Sequence, residues 1–376
     1  NGPLNTRGLD MSGVSSLIIN TTGSVLASGS GSSSGQEVRT TGTGKVVVKT
    51  SNSSSGSFMA KSASHTVNIS FQRSLDQTNG NSATEWTLIG VPVAGETLAD
   101  LESEGKLATN GSKVGLGYFD NATGQWTTYT SGASVTLTQM KGYHATPANS
   151  GTSITLEGTM LQSGWNTYSV NIESGDNGNW ALIGNPFPTY LRMTDDASGG
   201  GGTNDFLSDN LTGNAVDNSS FAAVYAWDGE QYVPYTQSTN SKNYIAPGEG
   251  FFIYLKDGSS SRNVRFRESY QVVAQGANFN SSLARGAEVN ERTILELGIK
   301  SIVGNQSDKT KIFFSEDATV GLDPGQDLGK FPFGSGTYVS TKLVNGDHKE
   351  INYMWQDLPI NEINNTIVPL NISSKH

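Results

Sequence analysis

The stretch Trp180-Ala181-Leu182-Ile183-Gly184-Asn185-Pro186-Phe187-Pro188 decides how the rest of the chain is parsed. An apolar run leads to Gly184, which ends it. Asn185-Pro186-Phe187-Pro188 does not extend a strand, because proline lacks the N–H donor and fixes φ. A partial copy, Trp86-Thr87-Leu88-Ile89-Gly90-Val91-Pro92-Val93, lies about 94 residues upstream, too far for a small solenoid repeat and about right for a sandwich-sized unit. Other landmarks recur in the same order. Val67-Asn68-Ile69 is matched by Val170-Asn171-Ile172, and Tyr118–Tyr129 by Tyr225–Tyr235. Lys141-Gly142-Tyr143-His144 is matched by Glu249-Gly250-Phe251-Phe252, and Ile154-Thr155-Leu156-Glu157 by Val264-Arg265-Phe266-Arg267. One β-rich unit therefore occurs twice. Tyr225 to Val233, two aromatic runs around Asp228-Gly229, carries a strong hairpin signal. Asp120–Gly124 does the same with a longer loop.

Composition sets the class. Of 376 residues, 45 are glycine and only 15% are charged, too few to wet the polar faces of many amphipathic helices. Ser, Thr and Asn solvate strands and turns, so the chain reads as all-β. The net charge of −10 and the pI near 4.9 argue against nucleic acid and anionic membrane as partners. No cysteine is present, which removes disulfides, thiolate chemistry and Cys-based metal sites. No apolar run approaches the ~18–20 residues that span a bilayer. Asn1 opens no signal peptide, as expected of a mature secreted product.

Four regions follow. Residues 1–62 are Ser/Gly-rich with short apolar pieces at Leu17–Ile19, Val25-Leu26 and Val46–Val48. These read as rungs of a small β-solenoid, as strands donated to a neighbour, or as linker. Residues 63–162 and 163–275 are the two copies, each expected as a jelly-roll-like β-sandwich. In the first, Glu96–Glu104 reads as a short helical turn with Leu98 and Leu101 inward and a solvated acidic face. In the second, the long connection through Asp195-Asp196, Gly199–Gly202, Asn204-Asp205, Asp209-Asn210 and Asp217-Asn218 suits either calcium or plain turns. Residues 275–290 read as a linker. Residues 285–376 are expected as an immunoglobulin-like sandwich, with strands at Thr293–Ile299, Thr310–Phe314, Tyr338–Ser340, Ile351–Met354 and Thr366–Leu370. Its loop places Asp323 and Asp327 four apart around Pro324-Gly325, a calcium site or an ordinary turn.

Several stretches together resemble the large extracellular proteins of Bacteroidota exported by the type IX secretion system. They are Trp180–Pro188, Ala246-Pro247-Gly248-Glu249-Gly250-Phe251-Phe252 and Ala318-Thr319-Val320-Gly321-Leu322-Asp323-Pro324-Gly325-Gln326-Asp327. The resemblance runs from about residue 60 to residue 370. It implies a secreted or cell-surface product, adhesive or structural, and supplies no catalytic residues. On it, His376 falls where a C-terminal sorting domain begins, which implies a processed or trimmed form.

No catalytic constellation emerges. His65 and His144 fall in the first copy and His348 and His376 in the C-terminal region, all outside any zinc-ligand spacing. Asp195/Asp196 and Glu316/Asp317 are sequence neighbours, which point to opposite faces of a strand. Gly-Ser tracts lack the strand–turn–helix context of a nucleophile elbow. Asn-x-Ser/Thr sequons, as at Asn68, Asn121, Asn210 and Asn371, are numerous enough to arise from composition. The expectation is a non-enzymatic structural or assembly protein, a self-associating subunit of a bacterial surface filament or matrix. The alternative is a cell-surface adhesin that binds glycans through Trp126, Trp227 and Tyr232. No cofactor is required, with calcium at Asp323 and Asp327 the one ion considered.

Overall fold

The computed structural model describes residues 4–7, 9–11, 16–28, 38–51, 54–61, 66–75, 86–161, 168–173, 179–194, 205–212, 215–227, 232–237, 243–256, 261–273, 293–302, 307–331, 337–346, 348 and 350–374. The linker at 275–290, His65, His376, Asp195-Asp196 and Asn204, and the Asp228-Gly229 turn lie outside the described residues. Strands dominate and the all-β expectation holds.

The N-terminal strands are β1 (Leu4–Arg7), β2 (Leu9–Asp10), β3 (Ser16–Ile19), β4 (Ser24–Ser28), β5 (Val38–Arg39), β6 (Lys45–Lys49) and β7 (Ser57–Lys61). They stack in parallel within the chain: β1 on β4 on β7, β2 on β5, and β3 on β6. The next strand, β8 (Asn68–Ser74), continues the last of these stacks by pairing in parallel with β6. Short apolar pieces suffice because each rung adds two or three side chains to a core shared with its neighbours. Val46, Val48, Phe58 and Ala60 are fully buried there.

The first copy contains β8, β9 (Thr87–Gly90), α1 (Leu98–Ser103), β10 (Thr109–Asn110), β11 (Lys113–Asp120), β12 (Gln125–Thr130), β13 (Gly142–Ala145) and β14 (Ser153–Thr159). One sheet runs β10-β11-β13-β9 with β12 on β11; the other runs β14-β8-β6-β3. Both face one hydrophobic cluster, which continues into the stacked rungs through Val25, Val46 and Phe58. Thr97 caps α1 by accepting from the Asp100 N–H at 3.2 Å, and Leu98 and Leu101 turn inward. The acidic face is not wholly solvated. Glu96 is buried and accepts the Glu157 N–H, and Glu104 accepts the Thr155 N–H at 3.0 Å. Burial pushes the Glu96 carboxyl up to about 7.

The second copy contains β15 (Tyr168–Glu173), β16 (Trp180–Gly184), β17 (Tyr190–Thr194), α2 (Phe206–Thr212), β18 (Val224–Trp227), β19 (Tyr232–Tyr235), β20 (Asn243–Ile245), β21 (Gly250–Tyr254), β22 (Ser261–Phe266) and β23 (Gln271–Val272). Sheet β16-β21-β18-β19 shares its core with the pair β15-β22 and the three-stranded sheet β20-β17-β23.

The copies match over β9, β13, β11 and β12 of the first and β16, β21, β18 and β19 of the second, whereas β10 and the sheet β20-β17-β23 have no counterpart among the described residues. Gly90 pairs with Gly142 as Gly184 pairs with Gly250. Gly117 opposes His144 as Tyr225 opposes Phe252, so the equivalent of Tyr225 is Gly117 rather than Tyr118. Trp86 then corresponds to Trp180, His144 to Phe252, Phe119 to Trp227 and Trp126 to Tyr232. The Val-Asn-Ile landmarks fall on equivalent strands but not at equivalent positions: Val67 O accepts from Met160 N, whereas Val170 opposes Val264.

A local two-fold relates the copies where they meet. Ile89 bridges to Glu249 and Ile183 bridges to Lys141. Gly90 N donates to Gly248 O at 2.9 Å, and Gly184 N donates to Met140 O at 3.0 Å. Met140 and Gly248, equivalent in register, both hold positive φ, 68° and 64°. The backbones touch: a Cβ on Gly184 would lie 2.5 Å from Gly90 Cα, and one on Gly142 would lie 2.6 Å from Ile183 O. The glycine of each Leu-Ile-Gly motif therefore does more than end a strand. Beside the crossing, Arg73 Nη2 donates to Glu249 Oε2 at 2.7 Å in a buried ion pair between the copies.

The C-terminal region has β24 (Thr293–Lys300), β25 (Ser307–Ser315), β26 (Leu328–Gly329), β27 (Thr337–Thr341), β28 (Tyr353–Pro359) and β29 (Leu370–Ser374). Its described strands form one mixed sheet, β24-β25-β28-β27-β29 with β26 on β28, in which β25 and β28 run parallel. β27 joins β28 through the single pair Thr341–Tyr353 and approaches β24 and β25, so the sheet bends back on itself.

Candidate functional site

The outer faces of β9–β13–β11–β12 and β16–β21–β18–β19 adjoin across the glycine crossing and make one aromatic surface. Phe119 of the first copy meets Phe252 of the second edge-on at 5.1 Å, and Trp126 meets Phe252 at 5.7 Å. Leu88, Phe119, Trp180, Leu182, Tyr225 and Phe252 belong to a single cluster.

The two halves differ in what covers them. Over the second copy, Phe331 lies 3.9 Å from Tyr232, 4.6 Å from Trp180 and 4.7 Å from Phe252, ring centre to ring centre. Leu328 and Met354 complete that cover. Tyr225 donates its hydroxyl to Gly329 O at 3.1 Å, and Gly329 N donates to Ser220 O at 2.6 Å. Over the first copy, Trp86 and Trp126 are each 36% exposed. His144, 5% exposed, stacks on both, at 4.0 Å from Trp86 and 4.4 Å from Trp126. The imidazole lies over Gly117, where any Cβ would collide with it. Desolvation holds His144 down to about 4, against the Thr127 carbonyl, so the stack is uncharged at neutral pH.

The structure thus separates the three aromatic residues expected to bind ligand. Trp126 stands on the open half. Trp227 and Tyr232, 4.9 Å apart, are packed into the covered cluster, and burial pushes the Tyr232 hydroxyl up. Trp86 and His144 join the open half. Nothing in the sequence marks His144 as their partner except its register on β13.

The carboxylates expected as cation ligands are occupied by the chain. Asp323 accepts the Thr319 N–H at 2.6 Å and the Thr319 hydroxyl at 3.0 Å. Asp327, fully buried, accepts the N–H of Asp323 at 2.7 Å and of Asp357 at 2.8 Å. Burial first, and then the carboxylates of Asp323 and Asp357, push Asp327 up to about 7 against those two bonds. This is the geometry of a stapled turn. In the second copy, Asp205 caps α2 through the Ser208 N–H at 2.7 Å. Asp209 takes Arg267 Nε at 2.8 Å and the Tyr270 hydroxyl at 2.5 Å, and Asp217 takes the Phe221 N–H at 3.1 Å. Among the described residues no three His, Cys, Asp or Glu side chains gather as a metal site.

Glu316 and Asp317 are exposed, and His348, 3.8 Å from Glu350, is on the surface. A cleft between α2 and the Pro324–Gln326 turn has no titratable group among the described residues that line it. No helix among the described residues is long and apolar enough to cross a membrane. Compared with protein-family models, with curated proteins and with solved structures, the chain finds no match.

Proposed function

We propose that this chain is a non-catalytic extracellular structural protein, a subunit of a bacterial surface filament or matrix. It is built of tandem β-sandwiches with a C-terminal sandwich of immunoglobulin-like size and is joined to its neighbours by β-strand contacts. The observation that carries this reading is a set of edge strands that bear large exposed apolar side chains. Among the described strands, β1, β3, β24 and β29 each pair on one side only. Leu4 on β1 is 61% exposed and Ile372 on β29 is 63% exposed; Ile18, Ile294, Leu295 and Leu370 are exposed too. Monomeric proteins blunt such edges with charge, proline or cover. Secretion and surface location rest on the resemblance to type IX secretion cargo, with which the acidic composition is compatible.

Point substitutions test assembly better than removal of residues 1–60, because β6 and β7 belong to the core of the first copy. In Ile18→Lys and Ile372→Lys, a buried ammonium opposes strand addition without touching the core. The wild-type chain should form high-mass species by light scattering, and the double variant should be monomeric. A wild-type chain that stays monomeric at every concentration, or a variant that assembles as well as wild type, would refute the proposal.

A further inference from the structure

The covered and open halves of the aromatic surface are register equivalents. Phe331 sits among Trp180, Phe252 and Tyr232. Their counterparts are Trp86, His144 and Trp126, over which no ring among the described residues sits as Phe331 does, and both tryptophans are 36% exposed. The open half is continuous with an interface already formed, through Phe119, Trp126 and Phe252. Two half-exposed tryptophans around a neutral, buried imidazole make an apolar, uncharged patch. Patches of this kind on soluble proteins mark interaction sites, and aromatic anchors dominate such sites.

We propose that the Trp86–His144–Trp126 face is a docking surface for a peptide segment of another protein that presents an aromatic side chain beside a small residue. The occupant is argued from the duplicate. There the segment Leu328-Gly329-Lys330-Phe331 seats its ring among the aromatic side chains. Gly329 lets the backbone lie against Phe221, where a Cβ would clash. The segment's own Phe331 is already buried in its chain, so the partner has to supply its own aromatic residue. This surface is separate from the strand edges invoked for assembly.

The test uses the full chain labelled with 5-fluorotryptophan, its resonances assigned by Trp86→Phe, Trp126→Phe and Trp180→Phe. The probe is a synthetic peptide with the sequence of residues 326–331, Gln-Asp-Leu-Gly-Lys-Phe, followed to about 10 mM because a single anchor in a short peptide binds in the millimolar range. The Trp86 and Trp126 signals should shift saturably while Trp180 stays in place. A peptide with alanine for the phenylalanine should bind at least about tenfold more weakly. The comparison of the two peptides needs no variant to fold. The proposal is overturned if neither tryptophan signal moves, if both peptides act equally, if only Trp180 responds, or if oligosaccharides move the two signals and the peptide does not.

Discussion

Asn185 holds more of the molecule together than its place after a strand suggests. It is fully buried, its amide donates to Thr189 O at 2.9 Å and Ala246 O at 3.0 Å, and its carbonyl accepts the Phe187 N–H at 3.1 Å. Asn185→Ala should cost about 2–4 kcal/mol in urea unfolding, because several buried backbone groups lose their partner at once. Gly184→Ala should cost about 1–3 kcal/mol or more, since its Cβ meets the Gly90 backbone. Gly298→Ala, which meets only ordinary contacts on β24, should stay within about 0.5 kcal/mol. His144 gives a pH signature. Its pKa falls from 6.5 unfolded to about 4 folded, so the unfolded chain binds the extra proton between those values. Its contribution is intact above pH 6.5 and declines as pH falls toward 4, by up to about 3 kcal/mol. His144→Phe, the residue type of the second copy, should abolish that part of the pH dependence. An unchanged stability-versus-pH difference between variant and wild type would contradict the assignment.

At the scale of elements, β8 joins the N-terminal rungs to the first copy, parallel to β6 on one side and antiparallel to β14 on the other. Phe58→Ala should therefore cost about 3–5 kcal/mol and loosen β14 as well as β7, read by amide exchange of both strands. Loss of protection confined to β7 would mean that the rungs unfold alone. Much at this scale was legible in the sequence. The Trp-x-Leu-Ile-Gly strands, the hairpin arms and the inward Leu98 and Leu101 follow from local pattern. The last two strands were misplaced for physical reasons. β28 runs through Gln356 and Asp357, which look like a polar stop yet are fully buried in a central strand. β29 begins at Leu370, after Pro369, where the backbone again has a donor for every residue.

Across the whole molecule, the sequence could not disclose the glycine crossing or the unequal cover of the two aromatic faces. A strand-ending glycine and a close-approach glycine are written with the same letter. The partners of Tyr232 arrive from Phe331, far along the chain and in another region. Trp126 and Tyr232 therefore looked alike as ligand platforms, although only one stands on an open face. The proposed role in assembly is tested most directly by hydrogen–deuterium exchange of the wild-type chain, dilute against concentrated. Concentration should slow exchange in β1, β3, β24 and β29 and leave the two cores unchanged. Edge strands that exchange at the same rate at both concentrations, or protection that grows only elsewhere, would contradict assembly through these strands.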